Sequence, residues 1–263
     1  MKNRNTVLFI GICFLLLSVA VYSGYRAYTI HKGYSEAKQT YNDISQEYVS
    51  YRNAPLKPDE AEKVNEKTLT FAELSPLKVD FDDLRKNLNS EVCAWIWCPD
   101  TVINYPIVQH SDNAYYLNYN VNGEYSASGA IFLDAVNFRD FRDTNSILHG
   151  HHMGDGSMFA ILDHWQMADF LEKHSVMYLN TPTNNYRIDI IAGFTTLANS
   201  RAYQYEFSSL SEVQDWIDWV QSESVIHPDI DLSPNDRFLT LSTCAYSSED
   251  ARTVLIGRLT QIR

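Results

Sequence analysis

A lone cysteine ends one strand-like run of the sequence, and an arginine opens the next. In TLSTCAYSSEDAR, residues 240 to 252, Cys244 follows the apolar run RFLTL, and Arg252 precedes TVLIGRL. A cysteine is a good nucleophile only as thiolate, and a free thiol with a pKa of about 8.5 is scarcely ionised at neutral pH. Arg252 offers a permanent cation whose rigid fork of donors can bind an oxyanion or orient a substrate backbone. The alternative is a surface arginine at a strand edge.

Candidates for a base lie in ILHGHHMGDGSMF, which holds three of the eight histidines, His149, His151 and His152. Nucleophilic catalysis needs one imidazole near Cys244, a contact that only the fold can deliver. A metal site is one alternative, since His149 and His151 would share a strand face. No further ligand follows at a recognisable spacing, and HExxH is absent, so we expect neither a metal nor a cofactor. Any single histidine could also be a packing residue.

Composition narrows the possible partners. The 263 residues are 45% hydrophobic and 21% charged, as in an ordinary globular protein, and the formal net charge is −12. Such an acidic chain lacks the basic face that non-specific nucleic-acid binding requires. It also lacks a polybasic patch for a membrane surface. We therefore expect no nucleic-acid partner.

The N-terminus predicts a membrane anchor. No charge occurs in the 21 residues between Arg4 and Arg26, and a helix of that length reaches about 32 Å, roughly one bilayer core. A cleaved signal peptide is the rival interpretation, and it requires a cleavage site of small residues after the apolar run. Ser18–Ala20 is a poor candidate for that site because it lies inside the run. Cys13 follows Ile12, which argues against a lipoprotein cysteine. The flanking positive charges are too evenly divided to orient the segment by themselves.

Periodicity predicts a largely β chain after an N-terminal helix. Tyrosine, alanine and isoleucine residues between positions 34 and 51 recur at helical spacing and form one stripe. Residues 53 to 79 resemble a linker. The segment DFDDLRKNL predicts a short helix. Eight strand-like runs follow, which favours a closed or partly closed β-barrel: CAWIWC, TVINYPIVQ, GAIFLDA, NSILHGHH, SVMYLN, YRIDIIAGFTTL, RFLTLSTC and TVLIGRL. Two helical insertions are predicted, SMFAILDHWQMADFLEKH and SSLSEVQDWIDWVQS, the second with a capping box of Ser209 and Glu212.

The cysteines do not form a disulfide framework. Cys93 and Cys98 lie five residues apart in a strand-like run, so they would face opposite sides and stand about 16 Å apart. A disulfide requires Cα atoms within about 7 Å. We therefore expect two small buried thiols there and a free thiol at Cys244.

Four stretches, in this order, resemble a class B sortase, a cysteine transpeptidase of Gram-positive cell surfaces: WIWCPDTVINYPIVQ, DNAYYLNYNVNGEYSASGAIFLD, SILHGHHMGDGSMF and TLSTCAYSSEDAR. The resemblance covers roughly residues 78 to 262. It implies a mainly β fold, a closed eight-stranded barrel with helical insertions and an N-terminal helical extension. The implied domains are an anchor (1–26), a helical extension and linker (27–77) and the catalytic barrel (78–263).

Residue roles also follow from the resemblance. Motif matching gives His151 the position of the family histidine, Cys244 that of the nucleophile and Arg252 that of the arginine. His149 stands where the family would suggest a smaller residue or an aromatic one such as tyrosine. The residues implied to line the substrate groove are Asn113, Leu117, Ser242 and, in the loop 198–207, Tyr203.

The implied reaction attacks the threonine carbonyl of a C-terminal sorting motif, NPxTx or SPxTx, in a secreted protein. A thioacyl-enzyme forms, and an amine on a cell-wall precursor peptide then accepts the protein. Both partners are met outside the membrane, so the anchor would have its N-terminus inside and the catalytic domain outside. Three alternatives stay open: a papain-like hydrolase, although its nucleophile usually begins a helix; a pilin-polymerising sortase; and a catalytically silent, membrane-anchored binding module.

Overall fold

A computed structural model describes residues 2–51, 74–244 and 250–262 of the chain, without the side chains of residues 2–5 and 244. The chain divides into two compact units, Met1–Thr40 and Tyr41–Arg263. Helix α1, Lys2–Tyr48, supplies nearly all of the first unit. Most of the predicted linker at 53–79 lies outside the described residues. The predicted domain boundaries at 26 and 77 stay predictions.

The N-terminal helix is long and apolar enough to cross a membrane. The span Thr6–Tyr48 contains an 18-residue window with a mean hydropathy of 2.4, and none of that window is buried. Length and composition therefore agree with the predicted anchor, and a signal sequence would share both properties.

The second unit is a closed eight-stranded barrel, as predicted, beside a small two-stranded sheet of β1 (Val49–Tyr51) and β2 (Leu77–Val79). The barrel strands are β3 (Val92–Trp97), β4 (Asn104–Val108), β5 (Ile131–Leu133), β6 (Asn145–His149), β7 (Val176–Asn180), β8 (Asn185–Leu197), β9 (Arg237–Cys244) and β10 (Ala251–Ile262). Each overlaps one of the eight strand-like runs, and β10 extends beyond its run at both ends. Their order around the barrel is β10-β8-β7-β3-β4-β5-β6-β9, and β9 pairs again with β10.

Two parallel pairings determine which strand ends meet. β4 pairs parallel with β5, and β6 pairs parallel with β9, whereas the other barrel pairs are antiparallel. The parallel β6–β9 pair brings the end of the histidine strand beside the end of the cysteine strand. The antiparallel β9–β10 pair brings the start of β10 to the same edge. Closure of the barrel thus gathers three distant sequence segments at one rim.

The stripe of α1 beyond Thr40 packs on the barrel. Tyr41, Ile44 and Tyr48 are all buried. The Tyr41 hydroxyl donates a hydrogen bond of 2.8 Å to the carbonyl of Gly129, and burial raises the pKa of that phenol. The predicted helical stripe therefore includes a real packing face.

The predicted short helix is confirmed as α2 (Phe81–Asn87), with Asp80 accepting from the Asp83 amide. The first predicted insertion is mainly a 3₁₀-helix, Ala160–Gln166, followed by the six-residue α3 (Ala168–Lys173). Met167 between them has an extended backbone, so the two turns cannot join into one α-helix. The Trp165 indole donates to the carbonyl of His174 at 2.8 Å and holds this compact arrangement.

The second insertion is confirmed as α4, Leu210–Glu223, whose buried face is Val213, Trp216, Ile217 and Val220. Only half of the predicted capping box is present. Ser209 accepts from the Glu212 amide at 3.2 Å, but the Glu212 carboxylate accepts from the amide of Ser208 at 2.7 Å and from Gln204. The carboxylate reaches one residue further back than a capping box requires.

Cys93 and Cys98 are free and buried, as predicted. Burial raises the pKa of each thiol to about 12. Neither thiol is therefore ionised near neutral pH, and neither competes as a nucleophile.

Candidate active site

A cavity of about 450 Å³ opens at the rim where β6 and β9 end and β10 begins. The sequence-predicted residues that line it are Asn113, Leu117, His151, Tyr203, Ser242 and Arg252. The other lining residues are Phe132, Asp134, His149, Gly150, Ala198 and Thr243. Cys244 ends β9 directly after Thr243, although its side chain is not among those described. The fold thus gathers six of the seven predicted site residues around one cavity and places the backbone of the seventh at its edge.

Arg252 lies opposite Cys244 in the sheet. The Cα atoms of the two residues are partners in the antiparallel register of β9 and β10, a separation of about 4.5 to 5.5 Å. The half-buried Arg252 donates from Nη1 to the carbonyl of Ala251 at 2.9 Å. The guanidinium is therefore held at the cavity wall with donors still to offer.

His151 lies across the cavity with its ring held by a backbone carbonyl. Its Nε2 lies 2.7 Å from the carbonyl oxygen of Leu117. A carbonyl only accepts, so Nε2 carries the proton, and Nδ1 is the nitrogen that gains and loses one. The side chain is half-buried and lines the cavity. This geometry suits a group that exchanges protons with a bound substrate.

Gly150 sets the path of the chain into His151. Its amide donates to the carbonyl of Ser242 at 3.1 Å, which extends the β6–β9 pairing by one residue. A Cβ at this position would stand 2.5 Å from the Ile131 side chain and 2.8 Å from the ring of Phe159. The glycine is required because no space remains for a side chain.

The Leu117 carbonyl that holds His151 is positioned by the close approach of Gly129 to the backbone of Tyr116 and Leu117. Gly129 has a φ of +55°, and a Cβ there would lie 2.3 Å from the carbonyl oxygen of Tyr116. The Ala130 amide donates to that same oxygen at 3.0 Å. Only glycine tolerates both this conformation and this contact, so the segment bearing Leu117 is tied to the start of β5.

His149 and Asp134 form a second ionisable pair in the cavity. His149 Nε2 and Asp134 Oδ2 are 2.9 Å apart, and both side chains are mostly buried. Burial raises the pKa of the Asp134 carboxyl, but hydrogen bonds with His149 and Asn113 and the His149 charge outweigh it, and the pKa lies below its usual value. Asn113 also accepts from the Ala135 amide at 2.8 Å, which fixes the loop behind the pair.

Tyr203 and Ser242 are hydrogen-bonded to each other and line the cavity beside His149. Their hydroxyl oxygens are 2.7 Å apart. The Tyr203 ring stacks on the His149 ring at a centroid distance of 6.3 Å and an interplanar angle of 7°. The predicted loop residue Tyr203 therefore lies in the cavity wall beside the predicted strand residue Ser242.

His152 is not among the residues that line this cavity. Its Nε2 lies 2.9 Å from Asp163, whose other oxygen accepts from the Thr253 hydroxyl at 2.6 Å. Within the described ranges, no group of three or more His, Cys, Asp or Glu side chains could hold a metal ion.

Sequence reasoning gave Asp134 no role, and it treated His149 only as an unusual neighbour. Asp134 is the first polar residue after the fully buried strand β5. A carboxylate directly after a short buried strand is a signal that could have marked it. Its histidine partner lies 15 positions later, and only the β5–β6 pairing brings the two together.

Comparison with known proteins agrees with this geometry. Residues 96–260 match the family model described as the sortase domain. The chain is 37% identical over 182 residues to sortase B of Listeria monocytogenes, covering 68% of this chain and 74% of that protein. Sortase B from B. anthracis has a TM-score of 0.70 at 29% identity, covering 89% of this chain and 99% of that one. The Staphylococcus aureus sortase B–substrate complex has a TM-score of 0.66 at 31% identity, covering 70% and 85%.

Proposed function

Because this chain belongs to the sortase family and is a class B sortase, a cysteine transpeptidase, we propose that Cys244, His151 and Arg252 carry its reaction. The substrate is the C-terminal sorting motif of a secreted protein, and the acceptor is a peptide amine of the cell wall. The observation that carries the proposal is the convergence of His151, Arg252 and the backbone of Cys244 on one cavity.

The first half-reaction breaks the bond after the motif threonine. The Cys244 thiolate attacks the threonine carbonyl carbon, and the oxygen gains negative charge. Arg252, facing Cys244 across the β9–β10 pair, donates to that oxyanion. The carbon–nitrogen bond then breaks, and the leaving amine takes a proton from Nδ1 of His151. The products are a thioacyl-enzyme and the released C-terminal peptide.

The second half-reaction reverses the proton flow. The acceptor amine attacks the thioacyl carbon, and His151 Nδ1 takes a proton from the attacking nitrogen. The carbon–sulfur bond breaks, which regenerates the thiolate and leaves a new amide bond. The Leu117 carbonyl, 2.7 Å from Nε2, stabilises the imidazolium that is present in the first half-reaction.

The sorting motif is proposed to lie in the cavity with its threonine at Cys244. Asn113, Leu117, Tyr203 and Ser242 line the wall along which the residues before the threonine would extend. Class B membership favours a motif of the form NPxTx or SPxTx. The related Staphylococcus aureus enzyme forms a complex with its substrate, and we extend that mode of binding to this chain.

We propose that residues 1–26 anchor the enzyme in the membrane, with the N-terminus inside and the barrel outside. The apolar helix supports this arrangement, and both substrates of the reaction are met on the outer side. Anchoring would keep the enzyme where secreted proteins emerge.

The test is a peptide-library cleavage assay with the full chain in detergent, read by mass spectrometry with and without amine acceptors. We expect cleavage after threonine and transfer to a cell-wall peptide amine, and we expect Cys244→Ala to abolish both while the barrel still folds. Turnover by Cys244→Ala would refute the assignment of the nucleophile. Hydrolysis alone, transfer only to a pilin lysine, or no turnover would favour the hydrolase, the pilin-polymerising sortase or the silent binding module, respectively.

A further inference from the structure

The proposed reaction leaves the His149–Asp134 pair of the cavity without a role. The pair joins an imidazole to a carboxylate at 2.9 Å. Because the pKa of Asp134 lies below its usual value, the carboxyl is ionised near neutral pH and can only accept. In the neutral form of His149 the proton therefore lies on Nε2 and Nδ1 presents a lone pair, whereas the charged ring would donate from both nitrogens. The acceptor role described below belongs to the neutral form.

The orientation of this lone pair is fixed before any ligand arrives. The His149 ring lies between Tyr203, with parallel planes, and Phe132, at a centroid distance of 5.1 Å. Asp134 is held in turn by the Val136 amide at 3.2 Å. Within the described ranges, the His149 ring makes its hydrogen bond through Nε2. A fixed acceptor facing a cavity adds affinity for a matching donor at little cost in side-chain entropy.

The His149–Asp134 pair lies beside the proposed catalytic residues, toward the interior of strands β6 and β9. His149 precedes His151 by two residues, and its Cα pairs with Ser242, which precedes Cys244 by two residues. Two residues of a strand span about 7 Å, and an extended substrate advances about 3.3 Å per residue. With the motif threonine at Cys244, the side chains two to three residues upstream pass over His149.

Only one of those upstream motif residues carries a side-chain donor. In NPxTx or SPxTx the second residue is proline, whose side chain has no donor and whose nitrogen has no hydrogen. The first residue donates through the amide of asparagine or the hydroxyl of serine. A leucine at that position would leave Nδ1 without a partner in a desolvated site, which is a strong ground for rejection.

We propose that His149, oriented by Asp134, is a specificity-determining residue that accepts a hydrogen bond from the first residue of the sorting motif. This inference rests on the proposed function and deepens it. It accounts for a histidine at a position where the family pattern suggests a smaller or aromatic residue: the imidazole retains an aromatic ring for packing on Tyr203 and adds an acceptor.

The experiment compares peptides that differ only in the first motif residue, asparagine or leucine, with the full chain in detergent. The wild type should prefer asparagine, and His149→Phe, which preserves the ring packing, should lower the ratio of the two kcat/KM values by about three- to tenfold, as expected for one neutral hydrogen bond. His149→Asn, which returns a polar atom near the position of Nδ1, should restore part of the ratio.

His110→Phe is the matched control. His110 also lies 2.9 Å from a carboxylate, that of Glu91, and stacks on a tyrosine, Tyr115, at 4.6 Å. It does not line the cavity. Its replacement should leave the asparagine-to-leucine ratio at the wild-type value, which separates a specific contact from a general loss of a histidine–tyrosine stack.

Asp134→Asn supplies a second test that does not remove the imidazole. With its oxygen kept on the Val136 amide, the new amide nitrogen would donate to Nε2 of His149, so that Nδ1 becomes a donor. The preference should then move from asparagine toward aspartate at the first position, by a comparable factor. Melting temperatures show which variants are folded, so either variant alone can decide the outcome.

The outcomes separate the two proposals. An unchanged ratio in a folded, active His149→Phe or an unchanged preference in a folded Asp134→Asn overturns the specificity role and leaves the transpeptidase function intact. Absence of any cleavage by the wild type, with or without acceptor, overturns both. A reduced ratio in His149→Phe with an unchanged His110→Phe supports the inference.

Discussion

Gly150→Ala is expected to impair both stability and catalysis through one steric contact. The φ of Gly150 is not positive, so the backbone itself would accept alanine. The new Cβ would stand 2.5 Å from Ile131 Cδ1 and 2.8 and 2.9 Å from two ring atoms of Phe159. The isoleucine terminus can rotate away. The Phe159 ring is fully buried, so it can move only by displacing its neighbours.

The expected magnitude follows from two opposing contributions. Overpacking a well-packed core costs about 1 to 3 kcal/mol, and replacing glycine by alanine recovers about 0.4 to 1 kcal/mol from the unfolded chain. The net loss in the free energy of unfolding should lie between about 0 and 2.6 kcal/mol, with a central value of about 1.3 kcal/mol, or about 3 to 5 °C in melting temperature for a domain of this size.

Catalysis should suffer more than stability, because Phe159 and His151 share a hydrogen bond. The Phe159 amide donates to the His151 carbonyl at 3.0 Å, so a shift of Phe159 moves the backbone of the proposed acid–base residue. Small displacements of a catalytic group reduce rates by up to about 10²-fold. We expect kcat to fall at least tenfold with a smaller change in KM.

The assay pairs thermal unfolding with steady-state cleavage of a fluorogenic sorting peptide. Gly193→Ala is the matched control, since its Cβ would meet only the flexible ends of Leu255 and Ile226, at 3.3 and 3.4 Å. That variant should keep its kcat and nearly its melting temperature. If Gly150→Ala behaves like this control, the proposed coupling between Phe159 packing and His151 placement is wrong.

Two further predictions concern the proposed catalytic residues. Arg252→Lys should lower kcat/KM by about 10²-fold or more, because a point charge cannot reproduce two fixed donors at a developing oxyanion; a near-normal value would remove Arg252 from that role. His151→Asn should abolish most turnover, whereas His152→Asn, which removes the contact with Asp163 outside the cavity, should cost about 1 kcal/mol of stability and little activity; the reverse ranking would shift the motif register by one residue.

Local patterns were sufficient for most of the fold. All eight strand-like runs became barrel strands because each alternates or concentrates apolar residues between turn signals. Helix α4 was predicted well because its apolar face repeats at helical spacing. The insertion around Trp165 was predicted only as helical. Its 3₁₀ geometry depends on packing against the barrel and on the indole contact with the His174 carbonyl, neither of which has a periodic signature.

The sequence by itself determined the chemical groups: a thiol at a strand end, an arginine at the next strand start and a cluster of histidines. These follow from residue type and local spacing. Only the tertiary structure decided which groups meet. The parallel β6–β9 pairing, between segments about 90 residues apart, brings His151 to the end of the cysteine strand. The antiparallel β5–β6 pairing joins Asp134 to His149, a contact made by strand register and therefore invisible in either segment alone.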